Sequence, residues 1–296
     1  MSFVVPASSA RLAVPSKGRL REECLALLSA AGFPTGMLHG AGSIASVDGL
    51  ALIEMRPRDA AAALAAGQLD AAFLATDLVA EYALEELPTL ALGFSRSELV
   101  VASRDDDGRT GIADLEGAVI ATHLPGVTTR TFAEKGIGIT VMAMGGSLEG
   151  ICAAGFADAI VDLRETGTSL ATNRLRVLEV LRRCEALLVR RRPDREAQAQ
   201  AVSVAALDDL VLRLEAVLTA RRQRYVMLHV PRERLDDLRT LMPGLASPTV
   251  LPLAGREDLV AVHFVVGQEQ LWSRLGDLRA LGATGIVALQ PQALLP

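Results

Sequence analysis

Short apolar runs and amphipathic segments alternate along the first two thirds of the chain. Apolar runs typical of buried strands occupy residues 11–15, 50–56, 69–76, 97–103, 117–122, 138–144 and 157–162. Segments with helical periodicity lie between them, at 18–32, 57–67, from Asp77 onward, and near 127–135, 147–155 and 165–172. Because helices between consecutive strands allow those strands to run in parallel, this alternation predicts parallel α/β layers.

Two segments of the chain repeat one plan. Residues 67–78 and 155–170 each read as a glycine, two residues, Asp-Ala, an apolar strand, and then an acid at a helix start. The repeat predicts two similar lobes that place polar groups at the carboxyl ends of strands, where open α/β sheets bind ligands. The cleft between the two lobes is then the expected site.

The pattern changes in the last third of the chain. Residues 175–193 read as two strands that lead back to the first lobe, and 194–222 as a long helix. A βαββαβ unit follows, which predicts a ferredoxin-like domain of about 75 residues. The predicted division is lobe I at 1–96 and 178–220, lobe II at 97–177, and a C-terminal domain at 221–296.

Composition restricts the class of protein. Half of the 296 residues are hydrophobic, the net charge is −5 and aromatic residues make up 3%, which argues against nucleic acid as a partner. No apolar run is long enough for a membrane span, and the N-terminus lacks the basic start of a signal peptide. Cys24, Cys152 and Cys184 are widely spaced without a CxxC pair, which fits a reducing cytoplasm without disulfides or zinc.

The stretch that carries chemistry is DLRETGTSL, residues 162–170. A turn into a helix presents free N–H groups, Thr166, Thr168 and Ser169 add hydroxyl donors, and Gly167 permits close backbone approach. Asp162, at the end of the strand, can accept hydrogen bonds from a ribose diol or hold Mg²⁺ through water. The pattern favours a ribose 5-phosphate site. The alternative is a strand-to-helix turn whose hydroxyls only cap the helix.

The same stretch resembles the phosphoribosyl pyrophosphate (PRPP) loop of the ATP phosphoribosyltransferase family, the first enzymes of histidine biosynthesis. Further motifs in the family's order lie at 11–20, 56–70, 146–150, 243–254 and 278–289, and the last two resemble the C-terminal domain of the family's long form. The resemblance implies an α/β fold: a two-lobed core like type II periplasmic binding proteins, followed by an ACT-like, ferredoxin-like domain.

The resemblance also implies a reaction and its residues. N1 of ATP would displace pyrophosphate from C1 of PRPP, with Mg²⁺ and cationic side chains taking the leaving charge. The residues implied for PRPP are Asp158, Asp162, Thr166, Gly167, Thr168 and Ser169, with Asp162 also the candidate metal residue. Those implied for ATP or pyrophosphate are Lys17, Gly18, Arg19, Arg56, Asp77 and Glu149. Alternatives stay open: Asp158 as a strand-start residue, Asp77 as a helix cap, and Glu149 as a first-turn charge.

By the same resemblance, the C-terminal domain would bind L-histidine as a feedback inhibitor and assemble the chain into a dimer or hexamer. Ser247, Thr249 and His229 are the candidate residues. His229 stands where some relatives carry an acid, and an imidazole holds an amino group poorly, so inhibition is expected to be weak or altered. The alternative is a domain that only assembles the oligomer.

Some positions depart from the family's pattern. Leu74 and Ala75 stand where the family has Thr-Gly, near the implied ATP pocket, and Gly145-Gly146-Ser147 replaces Ser-Gly-Ser. Asn173-Arg174-Leu175 stands where an Asn-Gly-Leu is expected. Three alternatives therefore stay open: a PRPP-dependent paralogue with another base as acceptor, a two-lobed small-molecule-binding protein, and an inactive regulatory homologue.

Overall fold

The computed structural model describes residues 9–192, 201–243 and 248–295. Ser247 and the predicted helical residues 194–200 therefore lie outside the described residues. Contacts divide the chain into two compact units, one comprising residues up to Ala26 and Pro34–Asp208, the other Leu27–Phe33 and the residues from Asp209 onward. Each unit is described by itself below.

The first unit begins with a six-stranded sheet. Its strands, in spatial order, are β2 (Ile44–Val47), β3 (Leu50–Met55), β1 (Ala10–Pro15), β4 (Ala71–Ala75), β11 (Ala186–Arg190) and β5 (Thr89–Ala91). β1 pairs in parallel with β3 and β4, and the remaining pairs are antiparallel. The helices of this part of the chain are α1 (Gly18–Ala30), α2 (Pro57–Ala65) and α3 (Thr76–Glu81).

A five-stranded sheet follows in the same unit. Its spatial order is β10 (Leu175–Cys184), β6 (Ser97–Arg104), β9 (Ala159–Arg164), β7 (Val119–Thr122) and β8 (Thr140–Ala143). Its helices are α4 (Pro125–Glu134), α5 (Leu148–Ala153) and α6 (Thr168–Thr172), with a 3₁₀ helix at Ile112–Leu115. β10 continues past residue 178, where the sequence places the return to lobe I, so that boundary stays a prediction.

The two sheets share one arrangement of strands. Each has a parallel trio with its earliest strand in the middle, β3-β1-β4 and β8-β7-β9, followed by an antiparallel strand, β11 or β6. The repeated sequence segments supply the third strand of each trio, β4 and β9. This confirms the two-lobed α/β class. The predicted parallel layers are the trios, while β6 and β11 run against them as the chain passes from one sheet to the other.

In the parallel trios, buried apolar residues form the middle of the strands and polar residues follow their carboxyl ends. The middle residues of β1, β4 and β9 are apolar and almost fully buried, as expected for strands covered on both faces. Polar residues follow at the carboxyl ends: Lys17 after β1, Asp77 after β4, and Glu165 after β9. The carboxyl ends of the trios therefore carry most of the predicted site residues.

The second unit contains a four-stranded antiparallel sheet. Its order is β13 (Thr249–Leu253), β14 (Arg256–Gly267), β12 (Gln223–Pro231) and β15 (Thr284–Leu289). Helices α7 (Ala201–Arg221), α8 (Leu235–Leu241) and α9 (Gln268–Ala280), with a 3₁₀ helix at Arg232–Arg234, complete this part. The order is that of a ferredoxin-like βαββαβ domain, as predicted.

Alternation along this sheet separates a packed face from an open one. Val226, Leu228 and Val230 of β12 are buried and share a core with Leu238 of α8 and Leu271 of α9. The intervening positions on β12 and its neighbours point the other way, and several of the large ones are exposed: Tyr225, Leu251, Val287 and Leu289. One face of the sheet is therefore apolar and accessible within the described residues. Over the same residues, none of the helices has the length and hydropathy needed to cross a membrane.

Candidate functional site

The turn between β9 and α6 holds the densest group of predicted site residues. Three apolar residues of β9, Ala159, Ile160 and Val161, are fully buried and fix where the strand ends. Gly167 precedes α6 with φ +79°, a left-handed conformation that glycine adopts without strain. The turn, residues 165–169, therefore has a backbone shape that its glycine makes possible.

The hydroxyl groups of this turn are exposed and close together. Thr166 Oγ1 and Thr168 Oγ1 lie 3.0 Å apart and share a hydrogen bond. Ser169 Oγ donates to Glu149 Oε1 at 2.6 Å, so α5 joins the turn through the predicted Glu149. The N-cap of α6 is Gly167, which has no side chain, and Thr166 Oγ1 accepts the N–H of Thr168 at 3.5 Å. The hydroxyls are exposed but hydrogen-bonded within the turn and to Glu149, so an incoming anion would compete with these contacts.

Asp162 lies on β9, close to the turn, and is half-buried. Its Oδ1 accepts the N–H of Leu163 at 2.7 Å and lies 3.3 Å from Nδ1 of His123. The side chains of Asp162 and His123 are 20% and 29% exposed. His123 follows β7, the parallel neighbour of β9, and sequence reasoning missed it because no spacing along the chain links it to Asp162. Their shared strand edge was the available signal.

Asp77 is the most buried of the predicted site residues, with 3% of its surface exposed. It lies in the first turn of α3, directly after β4, and its Oδ1 has no hydrogen-bond partner among the residues that the structure describes. Burial raises its pKa, while backbone N–H groups and the nearby His123 and Arg58 oppose the rise. A buried carboxyl oxygen without a partner is costly, which marks this position as one that a ligand could complete.

The turn after β1 reaches the turn after β9. Arg19 Nη1 donates to Glu165 Oε2 at 2.8 Å, so an arginine of lobe I contacts residues 165–169 of lobe II. Gly18 begins α1 with φ +76° and nothing lies within 4 Å of the space for a Cβ. Lys17 and Arg56 are exposed and, within the described part of the chain, have no hydrogen-bond or ion-pair partner. These cations are free to meet a ligand phosphate.

Asp158 is not brought to the turn. It precedes β9 at the far end of the strand, about 13 Å from Asp162 at the usual rise per residue. Its Oδ2 accepts the N–H of Val119 at 2.9 Å and its Oδ1 pairs with Arg109 at 2.8 Å. The Val119 N–H, together with the Arg109 guanidinium, lowers the pKa of this carboxyl. These contacts favour the alternative of a strand-start residue, and the ligand role expected for Asp158 stays a prediction.

A cavity of about 420 Å³ lies beside the turn. Its lining comes from the end of β9, the start of β6 and the end of β10: Arg96, Ser97, Glu98, Arg164, Glu165, Arg183, Cys184 and Glu185. Among the described residues, no group of three or more His, Cys, Asp or Glu side chains could hold a metal ion. A metal here would need oxygens from a ligand as well as from the protein.

The predicted regulatory residues lie on the sheet of the second unit. His229 on β12 pairs in register with Ala261 of β14, and Thr249 of β13 pairs with His263 of β14. Both are on the open face, two strand spacings (about 10 Å) apart across β14 and two residues (about 7 Å) apart along it, which separates them by about 12 Å. His263, which sequence reasoning did not select, lies between them and bonds Tyr225 Oη through Nδ1 at 2.9 Å. Ser247 is outside the described residues.

Known proteins match this chain over nearly its whole length. Residues 56–216 match the family described as ATP phosphoribosyltransferase, and residues 220–291 match the one described as HisG, C-terminal domain. An ATP phosphoribosyltransferase of Gemmatimonas aurantiaca is 37% identical over 296 residues, covering 97% of this chain and 99% of the relative. That of Maricaulis maris is 34% identical over 298 residues, covering 97% and 99%.

A solved structure agrees with these matches. The ATP phosphoribosyl transferase (HisG:HisZ) complex from Thermotoga maritima contains a chain that is 28% identical, with a TM-score of 0.58 over 70% of this chain and 98% of that one. The matches confirm the resemblance drawn from the motifs, and they decide against a small-molecule-binding protein. The chain belongs to the ATP phosphoribosyltransferase family, in its long form with a C-terminal HisG domain.

Proposed function

We propose that the turn at residues 165–169 holds the 5-phosphate of PRPP while Asp162 binds the ribose hydroxyls. The observation that carries this assignment is the grouping of exposed hydroxyls, a left-handed glycine and a half-buried carboxylate at one strand end. Oδ1 of Asp162 is engaged by Leu163 and His123, so Oδ2 is the oxygen left for a diol. Donors for the phosphate and an acceptor for the diol then lie near the end of the same strand.

Phosphoribosyl transfer places few demands on proton chemistry. N1 of ATP attacks C1 of PRPP, the C1–O bond breaks, and pyrophosphate leaves with the electron pair. Positive charge develops on the ribose and negative charge on the leaving group, so catalysis rests on positioning and electrostatics. Lys17 and Arg56 are exposed and unpaired within the described residues, and they supply cations for the pyrophosphate.

Arg19 would act between the two lobes. Its Nη1 lies 2.8 Å from Oε2 of Glu165, the first residue of the proposed phosphate turn. An anion at the turn or beside Lys17 competes for the Arg19 guanidinium, because a phosphate accepts the same bidentate geometry as a carboxylate. Substrate binding would therefore exchange this ion pair for a contact with phosphate. Gly18 leaves space for that approach.

Asp77 would receive the adenosine of ATP. Its unpartnered, buried Oδ1 needs a hydrogen-bond donor, and an exocyclic amino group or a ribose hydroxyl of the acceptor supplies one. Glu149, tied to Ser169, would lie on the pyrophosphate side of the turn. Leu74 and Ala75 are carried by β4 immediately before this position, so the family departures adjoin the acceptor site and leave a paralogue with another base as the second candidate.

The donor set fits a Mg²⁺ ion that the substrates carry. Mg²⁺ keeps waters and uses one or two carboxylates plus phosphates, and the described residues offer Asp162 without a protein cage. Bound to PRPP, the ion would neutralise charge on the departing pyrophosphate. Because Oδ2 is assigned to the ribose diol, Asp162 would hold the ion through water.

The C-terminal domain would bind L-histidine and assemble the chain into a homo-oligomer, a dimer or hexamer. The support is the open apolar face of its sheet, with Tyr225, Leu251 and Val287 exposed, on which a second copy would bury surface. Thr249 and His229 lie on this face, and with Ser247 they are the proposed histidine residues. Cytoplasmic location is supported by the free, buried cysteines Cys24, Cys152 and Cys184.

The first experiment is an assay of the purified full chain with PRPP, ATP and Mg²⁺. Pyrophosphate release is followed, the product is identified by mass, and L-histidine, excess EDTA and other purine bases or nucleotides are tested in parallel. We expect phosphoribosyl-ATP, loss of activity with EDTA, and weak inhibition by histidine.

Each alternative has its own outcome in this assay. Product with another base but none with ATP would replace the acceptor by that of the paralogue. Activity insensitive to histidine at every concentration would leave the C-terminal domain with assembly alone. Full activity in EDTA would refute the role of Mg²⁺.

A further inference from the structure

The last residue of β9, Arg164, is bound across the sheet to a residue of β6. Arg164 and Glu98 are direct cross-strand partners in the antiparallel register. Nε of Arg164 donates to Glu98 Oε2 at 3.2 Å, and Nη2 donates to the same oxygen. Both side chains are about one-third exposed, at 30% and 32%. The guanidinium is thereby turned along the sheet toward β6, and its direction is fixed by two hydrogen bonds.

The aliphatic part of Arg164 lies against the proposed phosphate turn. A Cβ placed on Gly167 would be 3.6 Å from Arg164 Cδ and 4.0 Å from Cγ. These are ordinary van der Waals distances, so a Cβ there would touch the stem without crowding it. Apart from the chain neighbours of Gly167, no other atom of the described structure lies within 4 Å of that position. The stem of Arg164 is therefore the surface that faces the Cβ side of Gly167.

The two observations together give Arg164 a role beyond its charge. We propose that Arg164, held by Glu98, is a positioning residue that fixes the turn at 165–169 in its phosphate-binding shape. It acts through Gly167 and makes no contact with the phosphate itself. The inference rests on the proposed function of the turn. It extends that function to a pair of residues, Arg164 and Glu98, which no sequence motif singled out.

An arginine on the other side of Glu98 provides a matched control. Arg183 of β10 is also a direct cross-strand partner of Glu98 and lines the same cavity. Among the described residues Arg183 makes no ion pair, and it does not come within 4 Å of the Cβ position of Gly167. Loss of its charge changes the field near the turn as loss of Arg164 does, but leaves the turn supported.

The test compares R164M, R164K, E98Q and R183Q in the full chain, with kcat, the KM for each substrate, and Tm measured for each. R164M keeps most of the stem and loses the ion pair, and E98Q loses the ion pair from the other side. We expect both to raise the KM for PRPP by about two- to fivefold, the range for one partly exposed ion pair. The KM for ATP and the Tm should stay near wild type, R164K should restore most of the affinity, and R183Q should have no effect.

Two results would overturn the proposal. If R164M raises the KM for PRPP while E98Q leaves it unchanged or lowers it, Arg164 binds the phosphate directly. If neither variant moves that KM, the pair does not control the turn. The variant T168V distinguishes this failure from failure of the turn's proposed function. A raised KM for PRPP in T168V supports the phosphate site at the turn. An unchanged KM refutes the phosphate site, and with it the positioning role of Arg164.

Discussion

Replacing Gly167 by alanine tests whether the turn's backbone shape serves PRPP binding. The residue has φ +79°, and an L-residue pays about 1–2 kcal/mol in that region. Sterics add little, because the new Cβ would lie 3.6 Å from Arg164 Cδ. The turn of G167A can relax, but PRPP binding must restore the original shape and pay the strain. We therefore expect the KM for PRPP to rise by about 5- to 30-fold, the equivalent of 1–2 kcal/mol.

The assay needs a control with the same strain elsewhere. Gly155 has the same φ of +79°, no atom lies within 4 Å of its Cβ position, and it ends α5 away from the turn. G155A should introduce a comparable backbone strain, which lowers the Tm, and should leave the KM for PRPP unchanged. Equal increases of that KM in G155A and G167A would show that strain acts through general loosening of the lobe. An unchanged KM in G167A would refute the phosphate site.

The other predictions concern the three carboxylates, Asp162, Asp77 and Asp158. D162A should reduce kcat/KM by about 10- to 150-fold for each hydrogen bond lost, since a hydrogen bond to a charged group is worth about 1.5–3 kcal/mol, and the Tm should stay near wild type; normal activity would remove Asp162 from the site. D77N should raise the KM for ATP and stabilise the ligand-free protein. Because the folded-state pKa of Asp77 is raised, the wild type loses stability relative to D77N as pH rises above about 4, and a pH-independent difference in Tm would contradict this. D158N should lower the Tm without changing the KM for either substrate. Because the folded-state pKa of Asp158 is lowered, the difference in Tm between wild type and D158N should persist at neutral pH and narrow as pH falls below about 4.

The fold could be predicted from the sequence wherever burial in the core produces a regular spacing of apolar residues. The strands of both parallel trios, and all four strands of the C-terminal sheet, were recognisable as apolar or alternating runs. β2 was missed although its signal was present: Asp48 and Gly49 have φ of 49° and 79°, a two-residue hairpin turn that joins β2 to β3. β5 has three residues and pairs only with β11, so it leaves no pattern of its own.

The site was predictable where its residues follow one another in sequence. Thr166, Gly167 and Thr168 form one turn, and a motif can represent it. Contacts between strands carry no such signal: Asp162 and His123 meet because β7 and β9 are neighbours. Asp158 lies apart from Asp162 for the matching reason, since four residues of separation on a strand place the two carboxylates about 13 Å apart. The positions of His123 and Asp158 relative to Asp162 depend on how the strands are arranged in the sheet, and the sequence alone does not determine that arrangement.

The repeated lobes suggest how two anionic substrates are kept apart. β4 and β9 hold equivalent places in their sheets; Asp77 follows β4 in the first turn of α3, whereas Asp162 lies within β9 and Glu165 follows that strand. Asp77 is buried with a raised pKa and an orphan oxygen, an environment that suits a neutral hydrogen-bonding base. Asp162 is half-buried and engaged by His123, beside exposed hydroxyls, an environment that suits a charged sugar phosphate. One acid in each lobe would then select one substrate. The difference in burial between Asp77 and Asp162 would decide which acid binds the base and which binds the sugar phosphate. The sequence repeat does not encode this difference in burial.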